Sequence, residues 1–198
     1  MKTINPRDFF KQYSQYLSKL LQNLDFNSIK AVADIIIRQS KREKTVYFIG
    51  NGGSASTASH FATDLVHCGL LDYRPIIRAV SLSDNIVLIT AIGNDKGYEY
   101  VFSRQLESLA KRGDICVAIS ASGNSRNLIE AFKTARLMGI ITVALLGFDG
   151  GKLMGMADHV IHVKTRKGEY GPVEDSHLFL DHMISSYIGT VFNRKKSK

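Results

Sequence analysis

The chain has 198 residues, 44% hydrophobic and 22% charged, which suits one soluble globular domain with a core of its own. Gly 16 and Pro 3 exclude collagen-like and Pro-rich disordered classes, and the longest apolar runs fall far short of a membrane span. The formal net charge is +8, with basic residues Arg194, Lys195, Lys196 and Lys198 crowded into an acid-free tail (194–198) that reads as a solvated end.

In chain order, the first 43 residues form a helical extension. Phe9, Phe10, Tyr13, Tyr16, Leu17, Leu20, Leu21 and Leu24 recur at spacings of three and four, which predicts one helix. The segment 25–28 breaks it and offers a cap. A second helix carries Ile29, Val32, Ala33, Ile36 and Ile37 on one side.

The pattern then changes. TVYFI (45–49), AVSLS (79–83), ICVAIS (115–120), TVALLG (142–147) and HVIHV (159–163) are short, apolar and mostly unalternated, as strands covered on both faces are. Helical stretches are predicted between and after them at 54–66, 84–92, 98–111, 125–139 and 150–156. Strand alternating with helix predicts an α/β chain, an αβα sandwich around a five-stranded, mainly parallel sheet. A long last helix spans about 173–192, with Leu180, Met183, Ile184, Tyr187, Ile188 and Val191 as its apolar stripe. The whole chain, 1–198, reads as a single domain. The stripes at both ends exceed what one sheet face needs and predict a subunit interface.

Two strand-to-helix loops are built for an anion. Gly50-Asn51-Gly52-Gly53-Ser54 lets the backbone approach a ligand at a helix start, where unpaired N–H groups and the helix dipole favour negative charge. It lacks both the dinucleotide-binding glycine spacing and the lysine of a P-loop. Ser120-Ala121-Ser122-Gly123-Asn124-Ser125 adds three hydroxyls at a second helix start, which suits a phosphate. The simpler reading of each is a turn with a serine cap. His60 and Asp64, four apart on one helix, share a face and can share a proton or a metal ion, or be a plain surface pair. In the last helix Glu174, Asp175, His177, Asp181 and His182 interrupt apolar sequence. Solvent exposure accounts for Asp175 and Asp181, whereas His182 sits at the edge of the stripe. Asn94-Asp95 reads as a polar loop able to reach a sugar hydroxyl.

The set GNGGS, H-F-A-x-D-L (60–65), AIGND-x-G-Y-E-x-x-F-S-R-Q (91–105), ISxSGNS (119–125) and GxDGGKL (147–153) resembles the phosphoheptose isomerases, a family of sugar isomerase (SIS) domains with a flavodoxin-like sheet. The resemblance implies a homotetramer with sites at subunit interfaces. It implies an aldose–ketose isomerase converting sedoheptulose 7-phosphate to D-glycero-D-manno-heptose 7-phosphate, a lipopolysaccharide precursor, in the cytoplasm.

By position, the resemblance implies substrate contacts at Asn51, Gly52, Gly53, Ser54, Asp64, Asn94, Asp95, Ser120, Ala121, Ser122, Ser125 and Glu174. It makes Asp64 and His182 catalytic, and it places a zinc ion on His60, Asp64, Glu174 and His182. Three departures stand out. Asp64 replaces the family's catalytic glutamate, one methylene shorter. Glu174 replaces a glutamine. No arginine follows in Leu65-Val66-His67-Cys68-Gly69, and Gly171-Pro172-Val173-Glu174 replaces the usual entry into the last helix. The alternatives are an isomerase of another sugar phosphate, and a non-catalytic regulator similar to the DnaA initiator-associating protein, whose partner is an initiator protein. Neither a membrane nor nucleic acid is an expected partner. Cys68 and Cys116 cannot form a disulfide framework, and a buried, reduced Cys116 fits the cytoplasm.

Overall fold

A computed structural model of the chain describes residues 5–70 and 76–193; the basic tail lies outside them. Helix α1 (Pro6–Gln22) opens on Asn5, whose side-chain oxygen accepts from Arg7 N at 3.0 Å, with proline just inside the start. Helix α2 (Phe26–Ser40) opens on Asp25, which accepts from Asn27 N at 3.0 Å. The expected break is therefore a working cap. Five strands follow: β1 (Thr45–Gly50), β2 (Arg78–Ser81), β3 (Ile115–Ser120), β4 (Ile141–Leu146) and β5 (His159–His162). Between and after them come α3 (Gly53–Leu70), α4 (Ile86–Asp95), α5 (Ser103–Leu109), α6 (Arg126–Met138) and α7 (Tyr170–Asn193).

The sheet is parallel throughout, in the order β2-β1-β3-β4-β5. Alternate residues feed two separate cores. Val46, Phe48, Val117, Ile119, Val143 and Leu145 face α2, α3 and α7. Tyr47, Ile49, Cys116, Ala118, Ala144 and Leu146 face α5 and α6. Both faces are dry, so the strands show no polar alternation in the sequence. On α7, Leu180, Ile184 and Ile188 are fully buried, each contributing about 1.5–3 kcal/mol of apolar burial. Tyr13 and Tyr16 donate to Asp175 at 2.5 Å and to Glu169 at 2.6 Å, tying α1 to the start of α7. Burial and the Asp175 contact push the Tyr13 hydroxyl up to about 12.

The chain reverses direction across the sheet between β1 and β3, and an open parallel sheet binds ligands at such a switch point. Both loops singled out in the sequence leave the sheet there.

Three predicted elements differ. The segment 150–156 holds only a 3-10 turn, Lys152–Gly155, because Gly150 and Gly151 take positive φ that a helix does not use. The segment 98–111 divides into a 3-10 turn, Tyr98–Tyr100, and α5, an arrangement that buries Val101 and Phe102. Asn94 and Asp95 are the last residues of α4 rather than a loop.

Candidate active site

The glycine loop and the serine loop face each other across the switch point. They enclose a cleft of about 180 Å³ lined by Asn51, Ser54, Ser120, Ala121, Ser122 and Ser125, with Tyr170 and Glu174 from α7. Asn51 is locked in place. Its amide exchanges hydrogen bonds with Asn127 at 3.0 and 2.8 Å and accepts from the Tyr98 hydroxyl at 3.1 Å. Asn127 carries no motif of its own, Tyr98 is the tyrosine of AIGND-x-G-Y-E, and the sequence reading gave neither a role.

The serine loop is held by main-chain geometry. Gly123 has φ +61°, and a Cβ there would overlap the carbonyl oxygen of Gly150. The glycine turn that replaces the predicted helix at 150–156 seats against it, with Leu153 N donating to Gly123 O at 3.0 Å and Lys152 N to Asn124 Oδ1 at 3.1 Å. Ser120 Oγ accepts from Gly123 N at 3.0 Å. Ser125 stands at the N-cap of α6 without a side-chain capping bond, so its hydroxyl is left for the cleft. Gly123→Ala is expected to lower stability by about 1–3 kcal/mol and to weaken binding of inorganic phosphate. Thermal melts with and without phosphate check both effects.

Beyond the cleft, α3 and α7 run side by side. His60 and Asp64 come from α3, Asp181 and His182 from α7. One donor atom from each of the four lies within 4.8 Å of the other three. The two Nε2 atoms of His60 and His182 are 3.0 Å apart, and His60 Nε2 is 3.7 Å from Asp64 Oδ2. Asp64 and His182, assigned to catalysis from the sequence, thus meet within one protomer.

One expectation needs correcting. Asp181 does not face solvent; it is 0% exposed, on the side of α7 that packs against α3. Burial, reinforced by the nearby Asp64 charge, pushes its carboxyl up to about 8. Glu174 does not join the cluster. It lies two turns up α7, about 12 Å along the axis, where its carboxylate rests against Gly53 and would have to move if that residue carried a side chain. Its place is in the cleft. His177, one turn before Asp181, is also fully buried, and burial pushes its imidazole down to about 4. Asn94 and Asp95 are exposed, bonded to each other at 2.9 Å, and lie outside the cleft.

A doubly wound parallel sheet with a serine-rich anion loop at its switch point is the architecture of the SIS domain, whose family profile matches residues 8–147. A probable phosphoheptose isomerase from Thermoplasma acidophilum is 38% identical over 92% of this chain and 98% of its own length. A phosphoheptose isomerase from Sulfurimonas denitrificans is 42% identical over 82% of each chain. Among solved structures, phosphoheptose isomerase GmhA from Neisseria gonorrhoeae superposes with a TM-score of 0.83 at 30% identity, covering 93% of this chain and 96% of that one. The chain belongs to the phosphoheptose isomerase family of SIS-domain proteins.

Proposed function

We propose that the chain is an aldose–ketose isomerase that converts sedoheptulose 7-phosphate to D-glycero-D-manno-heptose 7-phosphate, a heptose precursor for lipopolysaccharide. The observation that carries this is the meeting of Asp64 and His182, from two helices, beside a cleft lined by serine hydroxyls. The serine loop and the start of α6 hold the phosphate through hydroxyls and main-chain N–H groups. That grip supplies positioning energy away from the reacting carbons. Asp64 takes the proton from C1 of the ketose while the C2 oxygen gains one, giving an enediol. Return of a proton to C2 and loss of one from the C1 oxygen leave the aldose. His182 is the partner acid and base, being an imidazole that α7 brings beside Asp64. Glu174, in the cleft, contacts the middle of the sugar.

The donor set suits a divalent cation. It offers two imidazoles and carboxylate oxygens at close quarters, one carboxylate being buried with no hydrogen-bond partner. A zinc ion held by His60, Asp64 and His182 would polarise the substrate carbonyl as a Lewis acid, and those side chains would then be less free to act as acid and base. A non-catalytic regulator would have no use for a carboxylate beside two imidazoles, which favours the enzyme.

We further propose that the chain works as a homotetramer. α1 buries none of its residues, and neither does α4, the more apolar of the two. Ile86 and Val87 are 64% and 74% exposed. Val87→Asp is expected to shift the protein to smaller species in analytical ultracentrifugation. The cytoplasm is the proposed location. No helix among the described residues is long and apolar enough to cross a membrane, and Cys68 and Cys116 are both free thiols.

The direct test is turnover of sedoheptulose 7-phosphate, with and without added zinc. No reaction on any seven- or six-carbon sugar phosphate, alongside tight binding to an initiator protein, would replace this reading with the regulator.

A further inference from the structure

We propose that Asn127 is a positioning residue for the substrate: together with the Tyr98 hydroxyl it fixes the Asn51 amide so that an N–H group, and not the oxygen, is left for the ligand. The inference rests on the isomerase reading above for the choice of ligand.

Asn127 is 2% exposed, stands in the first turn of α6, and is not among the residues that line the cleft. Asn51 does line it. The two side chains are 76 positions apart in the chain, and their bonds join the loop after β1 to the helix after β3. A side-chain amide has one oxygen, able to accept two hydrogen bonds, and one nitrogen, able to donate two. That inventory fixes the polarity of the pair. Leu128 N donates to Asn127 Oδ1 at 3.0 Å, a proton it shares with Ser125 O at 3.2 Å. A main-chain N–H meets only an acceptor, so the oxygen end of Asn127 is set from its own helix. Asn51 Nδ2 is then the atom that meets this oxygen, at 3.0 Å, and Asn51 Oδ1 the atom that meets Asn127 Nδ2, at 2.8 Å. The Tyr98 hydroxyl takes the second place on Asn51 Oδ1, at 3.1 Å. The Asn51 oxygen is thereby filled. One N–H of its nitrogen remains without a partner among the described residues, in a side chain that lines the cleft.

A free asparagine turns about its last bond and presents either end. Held in this way, Asn51 offers the cleft a donor, which suits a phosphate, carbonyl or hydroxyl oxygen of a sugar phosphate. A side chain set before binding loses less freedom when the ligand arrives. Asn127 acts through Asn51 alone. Tyr98 brings the 3-10 turn Tyr98–Tyr100 into the same arrangement.

The experiment titrates the full chain with sedoheptulose 7-phosphate by calorimetry and reads KM and kcat from steady-state turnover. Asn127→Leu is expected to weaken binding about 10-fold, the worth of one well-made polar contact. It is expected to raise KM while kcat moves by less than about twofold. Tyr98→Phe is expected to weaken binding about 3-fold. Tyr98 is 57% exposed, so loss of its hydroxyl leaves the core intact and keeps the question answerable if Asn127→Leu does not fold. Both changes are then repeated on Asn51→Ala. In that background each is expected to alter binding by less than about twofold, because a residue that acts through another is silent once the other is gone. A merely structural role would weaken binding in both backgrounds alike. Unchanged binding by both Asn127→Leu and Tyr98→Phe, losses that persist in full on Asn51→Ala, or no binding by the wild type would each overturn the inference. Wild-type binding without turnover, with the coupling to Asn51 intact, would remove the isomerase reading and leave this one standing.

Discussion

Asp64→Asn is expected to lower isomerase turnover by about 10²–10⁴-fold, the range that a positioned general base supplies. Asparagine keeps the shape of the side chain and removes its basicity, and the surrounding helices α3 and α7 are otherwise unchanged. The proposed mechanism pairs Asp64 with an imidazole, and His182 is an imidazole that α7 brings within 4.8 Å of it. The relatives' longer acid offers a control. Asp64→Glu restores a reach of one more methylene on the same helix face, so it is expected to retain turnover where Asp64→Asn loses it. Steady-state rates at saturating sugar phosphate and saturating zinc check the pair. A turnover number left untouched by Asp64→Asn would remove Asp64 from the chemistry.

The second large effect concerns stability and pH. His177 is fully buried, and its ring nitrogens have no hydrogen-bond partner. Burial lowers its pKa from 6.5 to about 4. Between those values the unfolded chain binds a proton that the folded chain refuses. Stability from this group is therefore complete above pH 6.5 and drains away as the pH falls through 4. The shift corresponds to about 3 kcal/mol over that window. Asp181, with its pKa raised, acts in the opposite sense, being least costly when protonated at low pH. The comparison is therefore between wild type and His177→Leu rather than within one curve. With a chelator present, the wild type is expected to lose about 2–3 kcal/mol more than His177→Leu between pH 7.5 and 4.5, measured by urea unfolding. Parallel curves would mean that the folded protein accommodates a charged His177.

All five strands were legible in the sequence, since each is a β-branched or aliphatic run ended by glycine, serine or charge. Their parallel pairing followed from the helices between them. The glycine turn at 150–151 was not legible as a turn, because its partner is the carbonyl and loop of another segment, 122–124, far away in the chain. The loop residues of the cleft were visible from loop composition, Tyr170 was not, and the Asp64–His182 pair came from family resemblance.

Asp181 was misread, and His177 left without a role, for a definite reason. Polar residues four apart on a helix look like a solvated face, and only the packing of α3 onto that side of α7 reveals them as buried. Glu174 entered the metal set through the family resemblance, and neither a motif nor a helical wheel carries height along a helix. It lies within about 80° of His182 in projection, yet two turns away along the axis. Asn127 gave no sequence signal beyond its place in the first turn of α6. Its importance comes from the reciprocal amide pair that joins the two loops.

The distance along α7 from Glu174 to His182 has a consequence for substrate choice. On the proposed mechanism, a sugar held by its phosphate in the serine loop has Glu174 along its length and Asp64 at its reacting end. Shortening such a sugar by one carbon would withdraw that end by about 1.5 Å, a gap that proton transfer does not tolerate, so the spacing along one helix would then act as a ruler for carbon-chain length.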